Sequence, residues 1–128
     1  MSYQNVDIFI SGGGIAGLTA AAALGQRGLS VVIVDPMPPV ETAGAEGSDL
    51  RSTALLQPSR ALLERAGLWD SLESHATPLN VLRVVDCAGD PPEIQTERAF
   101  RAEDISDEAF GWNLPNWLTR KVLVDAIS

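Results

Sequence analysis

Three consecutive glycines, Gly12-Gly13-Gly14, stand between a short apolar run and a helix-forming run, and they restrict this chain more than any other feature. Residues 5–11 are rich in β-branched and aromatic side chains and read as a buried strand. The glycines end it. From Ile15 to about Arg27 the chain is mostly Ala and Leu and reads as a helix, closed by Gly28 as a left-handed cap. Val31-Val32-Ile33-Val34 is apolar without alternation, the pattern of a parallel strand covered on both faces. Strand, glycine turn, helix and strand, completed by Asp35, make a right-handed βαβ unit.

The glycine spacing adds a function. Gly12, Gly14 and Gly17 satisfy Gly-x-Gly-x-x-Gly. The first permits a tight turn out of the strand, the second lets a pyrophosphate approach the backbone, and the third lets the helix lie close on the sheet. The helix start at Ile15 and Ala16 offers unpaired N–H groups and a partial positive charge, worth about 0.3–1 kcal/mol to an exposed anion. Ala21 and Gly25 continue the same helix face, which extends the expected close-packed surface. Asp35 follows Gly12 by 23 positions, where a carboxylate accepts hydrogen bonds from an adenosine ribose and repels a 2′-phosphate. These residues indicate an adenine dinucleotide with free ribose hydroxyls. They do not separate FAD from NAD, since both carry the adenosine pyrophosphate.

Composition removes several alternatives. A chain of 128 residues, 45% hydrophobic and 20% charged, supports one real core. A net charge of −8 repels phosphate backbones at long range and argues against a general nucleic-acid binder. The single Cys87 can form neither an internal disulfide nor a cysteine-based zinc cluster, which fits a cytoplasmic protein. Residues 8–26 carry no charge, but five of them are glycine and the first basic residue is Arg27, so the stretch reads as neither a membrane span nor a secretory leader.

Residues 36–47 hold three prolines, two glycines and no periodicity, and read as a loop. A helical region is expected from near Asp49, with Leu55, Ser59, Leu62, Leu63 and Ala66 on one face, Pro58 kinking or restarting it, and Gly67 closing it. Residues 69–75 read as a short helical turn, and residues 79–86 and 94–101 as a hairpin. Residues 104–108 form an acidic exposed stretch whose spacing does not fit a calcium loop. An amphipathic helix starts near Asn116 and keeps its apolar pattern to Ser128, so it reads as cut rather than finished. His75 lacks the context of a catalytic triad, Cys87 reads as a packed strand-end residue, and Trp112 and Trp117 read as cover for the core. No pattern marks a metal site, and no residue declares itself catalytic.

The run Gly12-x-Gly14-x-x-Gly17-x-x-x-Ala21-x-x-Leu24-x-x-x-Gly28-x-x-Val31-x-Ile33-x-Asp35 resembles the FAD fingerprint of flavoprotein aromatic hydroxylases. Asp49-Leu50-Arg51, followed by Ala54-Leu55, Leu63 and Gly67-Leu68-Trp69, is similar to a run in the ubiquinone-biosynthesis hydroxylases, as is Asn116-x-x-x-Arg120-x-x-Leu123. The likeness spans nearly the whole chain and is thinnest over 88–110. It implies an α/β fold: a Rossmann-like FAD-binding βαβ unit with a following helical segment and a β-hairpin. It implies FAD as cofactor, NAD(P)H as reductant, dioxygen, and a polyprenylated phenol as substrate, with a peripheral membrane contact to reach it left open. By position, Gly12, Gly14, Ile15, Ala16 and Gly17 would hold the pyrophosphate and Asp35 the ribose. Arg51 would lie near the flavin and its phosphates, and Arg120 would add a second cationic contact, as a bidentate guanidinium suits.

The chain departs from that family in length. No Asp-Gly pair occurs, and Gly89-Asp90 is followed by Pro91-Pro92 in a turn, so it does not read as the family's downstream cofactor motif. The expectation is therefore an N-terminal FAD-binding domain over 1–128, partnered by the remainder of a longer enzyme and inactive by itself. Two rivals stay open: a NAD-binding domain of a reductase, and a truncated dinucleotide-binding module without turnover.

Overall fold

The computed structural model describes residues 5–128. β1 (Ile8–Ser11) and β2 (Val31–Val34) pair in parallel, with Ile8 opposite Val31 and Ser11 opposite Val34, and α1 (Ile15–Gly25) crosses between them. A parallel pair requires such a crossover, because a tight turn cannot return the chain to the same end of the sheet. The Asp7 carboxylate fastens the two strand starts by accepting the Ser30 N–H at 2.8 Å and the Ser30 hydroxyl at 2.7 Å.

After a loop the chain forms β3 (Ser52–Leu56), α2 (Gln57–Arg65), α3 (Trp69–Glu73), β4 (Thr77–Leu79), β5 (Val81–Ala88), β6 (Glu93–Arg101), β7 (Gly111–Pro115) and α4 (Asn116–Ile127). β7 is the middle of a three-stranded antiparallel sheet, with β3 on one side and β4 on the other. β5 and β6 form a separate hairpin.

The expected βαβ unit, short helix at 69–73, hairpin and final helix are present. The helix expected from Asp49 is corrected: residues 52–56 are strand, and the helix begins at Gln57 with Pro58 in its first turn. Pro58 starts the helix because its missing N–H falls where no intrahelical bond is made. The apolar spacing of Leu55, Leu62 and Leu63 concealed the change, since what makes 52–56 a strand is pairing with Pro115 to Gly111 far along the chain. α2 closes as expected at Gly67, where Gly67 N–H bonds Glu64 C=O and Leu68 N–H bonds Leu63 C=O. Strands β4 and β7 had no counterpart in the sequence reading.

The core gathers one layer from each part. Leu72, Leu114 and Leu123 have no exposed surface, and Leu18, Leu63, Leu68 and Trp69 pack with them. Each such Leu contributes about 1.5–3 kcal/mol of apolar burial. Trp112 packs against this cluster and meets Trp69 edge-on at 5.6 Å, with the Arg60 guanidinium over both rings. α4 lies against α1 and α3, so the last helix joins the βαβ unit to the second layer. The hairpin is different, for every residue of β5 and β6 is exposed. Cys87 is thus exposed rather than packed, because neither hairpin face is covered.

Candidate functional site

The turn after β1 is shaped by close approach. Gly12 has φ +116°, which an L side chain rarely adopts, and its N–H bonds Val34 C=O at 2.8 Å. A Cβ on Gly17 would stand 2.1 Å from the Gly12 carbonyl oxygen. Over Gly14 a Cβ would meet nothing within 4 Å. Gly14 is also the N-cap of α1, with no side chain capping that end and no acidic residue in the first turn. No side chain therefore caps the first N–H groups of the helix, the arrangement that receives an anion. A backbone cradle of this form fits a pyrophosphate. Gly25 does not extend the close-packed surface; a Cβ there would also meet nothing within 4 Å.

Asp35 stands at the end of β2, beside this turn. Its carboxylate accepts the Gly13 N–H at 2.7 Å and the Met37 N–H at 2.9 Å, and it pairs with the Arg120 guanidinium at 3.1 Å. The Met37 and Gly13 amides, then Arg120, hold its carboxyl below the usual carboxylate range. Arg120, from α4, also donates through Nε to Gly13 C=O at 2.8 Å and through its terminal nitrogens to the Met37 and Pro38 carbonyls. Two clefts meet at Arg120. One, of about 760 Å³, includes Gly13, Asp35, Met37 and Pro38 in its wall; the other, of about 210 Å³, is lined by Gly14, Ile15, Asp49, Asn116 and Trp117.

Arg51 is placed differently from the glycine turn. Its exposed guanidinium binds both oxygens of Asp49, at 2.8 Å each. Asp49 also accepts the Asn116 side-chain amide at 3.0 Å, and Arg51 and Asn116 together hold the Asp49 carboxyl far below its ordinary value. The carbonyls of Arg51 and Asp49 accept the N–H groups of Asn116 and Trp117, so this loop caps α4. Ser48, between the cleft-lining Gly47 and Asp49, has a buried hydroxyl without a partner among the described residues.

The structure thus sets Gly14, Ile15 and Arg120 around one cleft and Asp35 and Arg120 around the other, packs Gly17 against Gly12, leaves Ala16 in the first turn of α1, and ties Arg51 to the cleft-lining Asp49. Sequence reasoning missed Gly13, Met37 and Pro38, whose backbone groups Asp35 and Arg120 grip. The absence of a side chain at 13 was the readable signal, because a Cβ there would come within 3.1 Å of Asp35; the carbonyl contacts left no trace in residue type. Trp117 borders the smaller cleft instead of covering the core.

A family model described as FAD binding domain matches residues 5–127. The chain is 42% identical over 80 residues to ubiquinone hydroxylase UbiL of Rhodospirillum rubrum, a match covering 62% of this chain and 18% of that protein. It is 27% identical over 125 residues to ubiquinone hydroxylase UbiM of Neisseria meningitidis, covering 95% of this chain and 26% of that protein. Among solved structures it superposes on the flavin-dependent monooxygenase PieE, in complex with FAD and substrate, with a TM-score of 0.72 and 26% identity, over 98% of this chain and 22% of that one. The chain therefore spans about a quarter or less of the length of these proteins. The glycine cradle, the carboxylate at the end of β2 and a match over almost every described residue agree: the chain belongs to the FAD-binding domain family, and FAD is its cofactor.

Proposed function

We propose that residues 1–128 are the N-terminal FAD-binding domain of a flavin-dependent monooxygenase that hydroxylates a polyprenylated phenol in ubiquinone biosynthesis. What carries the reading is the open, uncapped helix start over Gly14, in a chain 42% identical over its matched part to a ubiquinone hydroxylase. When bound, FAD would supply the redox chemistry by which NAD(P)H and dioxygen place one oxygen atom on the aromatic ring and release the other as water.

The chain's own residues bind and orient. Gly12 sets the turn, Gly17 lets α1 sit against it, and Gly14 with the N–H groups of Ile15 and Ala16 receives the pyrophosphate. Asp35, kept ionised, accepts the ribose hydroxyls of the adenosine. Arg120 completes this end of the site. Arg51, exchanging Asp49 for the cofactor, provides a cation on the flavin side. The remainder of the enzyme supplies the substrate pocket and excludes water from it. The assignment carries with it a cytoplasmic location, with peripheral contact at the inner membrane where a polyprenyl substrate resides.

Calorimetric titration of the chain with FAD and with NAD tests the reading. FAD is expected to bind and NAD to bind far more weakly. Micromolar NAD affinity without FAD binding would instead make this a reductase's NAD domain. Because the chain spans 18% of one relative and 26% of the other, the FAD-loaded chain is expected to oxidise NADPH no faster than free flavin.

A further inference from the structure

Arg120 and Asp35 together hold two residues by both of their backbone groups. Gly13 donates its N–H to Asp35 at 2.7 Å and offers its C=O to Arg120 Nε at 2.8 Å. Met37 repeats the pattern, its N–H on Asp35 at 2.9 Å and its C=O on an Arg120 terminal nitrogen. The other terminal nitrogen reaches Pro38 C=O at 3.4 Å, and the pair itself is closed at 3.1 Å. A guanidinium has five N–H donors in a rigid fork, and here every nitrogen has an acceptor within the protein. Neither edge of the fork is left to take a phosphate bidentately.

The orientation of the Gly13–Gly14 peptide has a consequence for an anion. In a trans peptide the C=O of one residue and the N–H of the next point in opposite directions. By drawing the Gly13 carbonyl to itself, Arg120 turns the Gly14 N–H to the other side. A carbonyl oxygen facing a pyrophosphate would repel it, and an N–H attracts it. A lysine in place of Arg120 could reach one acceptor as a point charge but could not grip three carbonyls and a carboxylate at fixed angles.

We propose that Arg120 is a positioning residue: from α4 it sets the Gly13–Gly14 peptide and the 35–38 strap in their binding geometry, and it makes no phosphate contact of its own. The proposal rests on the reading of this turn as the adenosine-pyrophosphate site. The test uses the full chain, with Arg120→Lys and Arg120→Met checked for intact helix content by circular dichroism. Two probes, adenosine and ADP, are titrated by NMR, and amide hydrogen exchange is followed without ligand. Both variants are expected to weaken adenosine and ADP by a similar factor, about tenfold or more, and to speed exchange at the Gly13 and Met37 amides. Retained ADP affinity in Arg120→Lys, or ADP weakened with adenosine unchanged, would mean a direct charge contact and overturn the proposal. Unchanged exchange at Gly13 and Met37 would overturn it as well. Wild-type chain that bound neither probe would instead remove the site reading, while the ligand-free exchange would still decide whether Arg120 holds these two residues.

Discussion

A Cβ on Gly17 would stand 2.1 Å from the carbonyl oxygen of Gly12, closer than any real Cβ contact. Both atoms belong to elements that cannot give way, the first turn of α1 and the turn that ends β1. Gly17 is therefore required by the fold itself, while a Cβ on Gly14 would meet nothing within 4 Å, so the fold places no such demand there.

The two positions should separate on substitution. Gly17→Ala is expected to lower stability by about 1–3 kcal/mol or more, as overpacking against backbone does. Gly14→Ala should leave the urea midpoint nearly unchanged and weaken FAD at least about tenfold, roughly 1.4 kcal/mol. A Gly14→Ala chain that binds FAD like the wild type would refute the pyrophosphate assignment.

Leu72, Leu114 and Leu123 come from α3, β7 and α4 and meet with no exposed surface. Each Leu→Ala change is expected to cost about 2–5 kcal/mol in chemical denaturation. Leu82→Ala in the exposed hairpin should stay within about 0.5 kcal/mol, the range of surface substitutions. Equal costs at Leu82 and Leu114 would mean the hairpin is packed in solution.

Asp35 and Asp49 both titrate below the usual carboxylate range in the folded chain. A carboxyl lowered on folding adds stability above its unfolded value, near 4, and that stability is lost as pH falls through the lower folded value. The urea midpoint should therefore drop only on the acid side of about pH 4. Asp49→Asn should reduce the steepness of that acid limb; an unchanged limb would show that Asp49 does not contribute.

Asp49 also joins the loop to α4, holding Asn116 by its side chain and Trp117 by its carbonyl. Asp49→Ala is expected to lower the melting temperature and to free Arg51, which that carboxylate holds at both oxygens. If Arg51 serves the cofactor, FAD affinity should survive this change better than it survives Arg51→Ala. Calorimetry on the two variants decides the order.

The βαβ unit was legible because its signals are local. A glycine turn, an Ala and Leu helix and an unbroken Val and Ile strand each announce themselves within a few residues. β3 was not, since its outer positions are exposed and its strand form depends on pairing Ser52 with Pro115 and Leu56 with Gly111. The same holds for the site. Gly12, Gly14, Gly17 and Asp35 carry their spacing in the sequence, whereas Arg120 works through the carbonyls of Gly13, Met37 and Pro38, and a carbonyl is common to every residue.

The hydrogen bond from Arg120 to Gly13 joins residues 107 positions apart. The entropy of closing a chain rises only with the logarithm of its length, so ten residues more or fewer between these ends shift the cost by about 0.1 kcal/mol. The turn between β5 and β6 lies inside that interval, with both flanking strands in solvent. Insertions there leave the cradle's energetics almost untouched, which makes 89–92 the natural place to splice in a tag or a reporter. The same separation makes the clasp a contact of long sequence range, the kind that slows folding, whereas the contacts around the glycines are local.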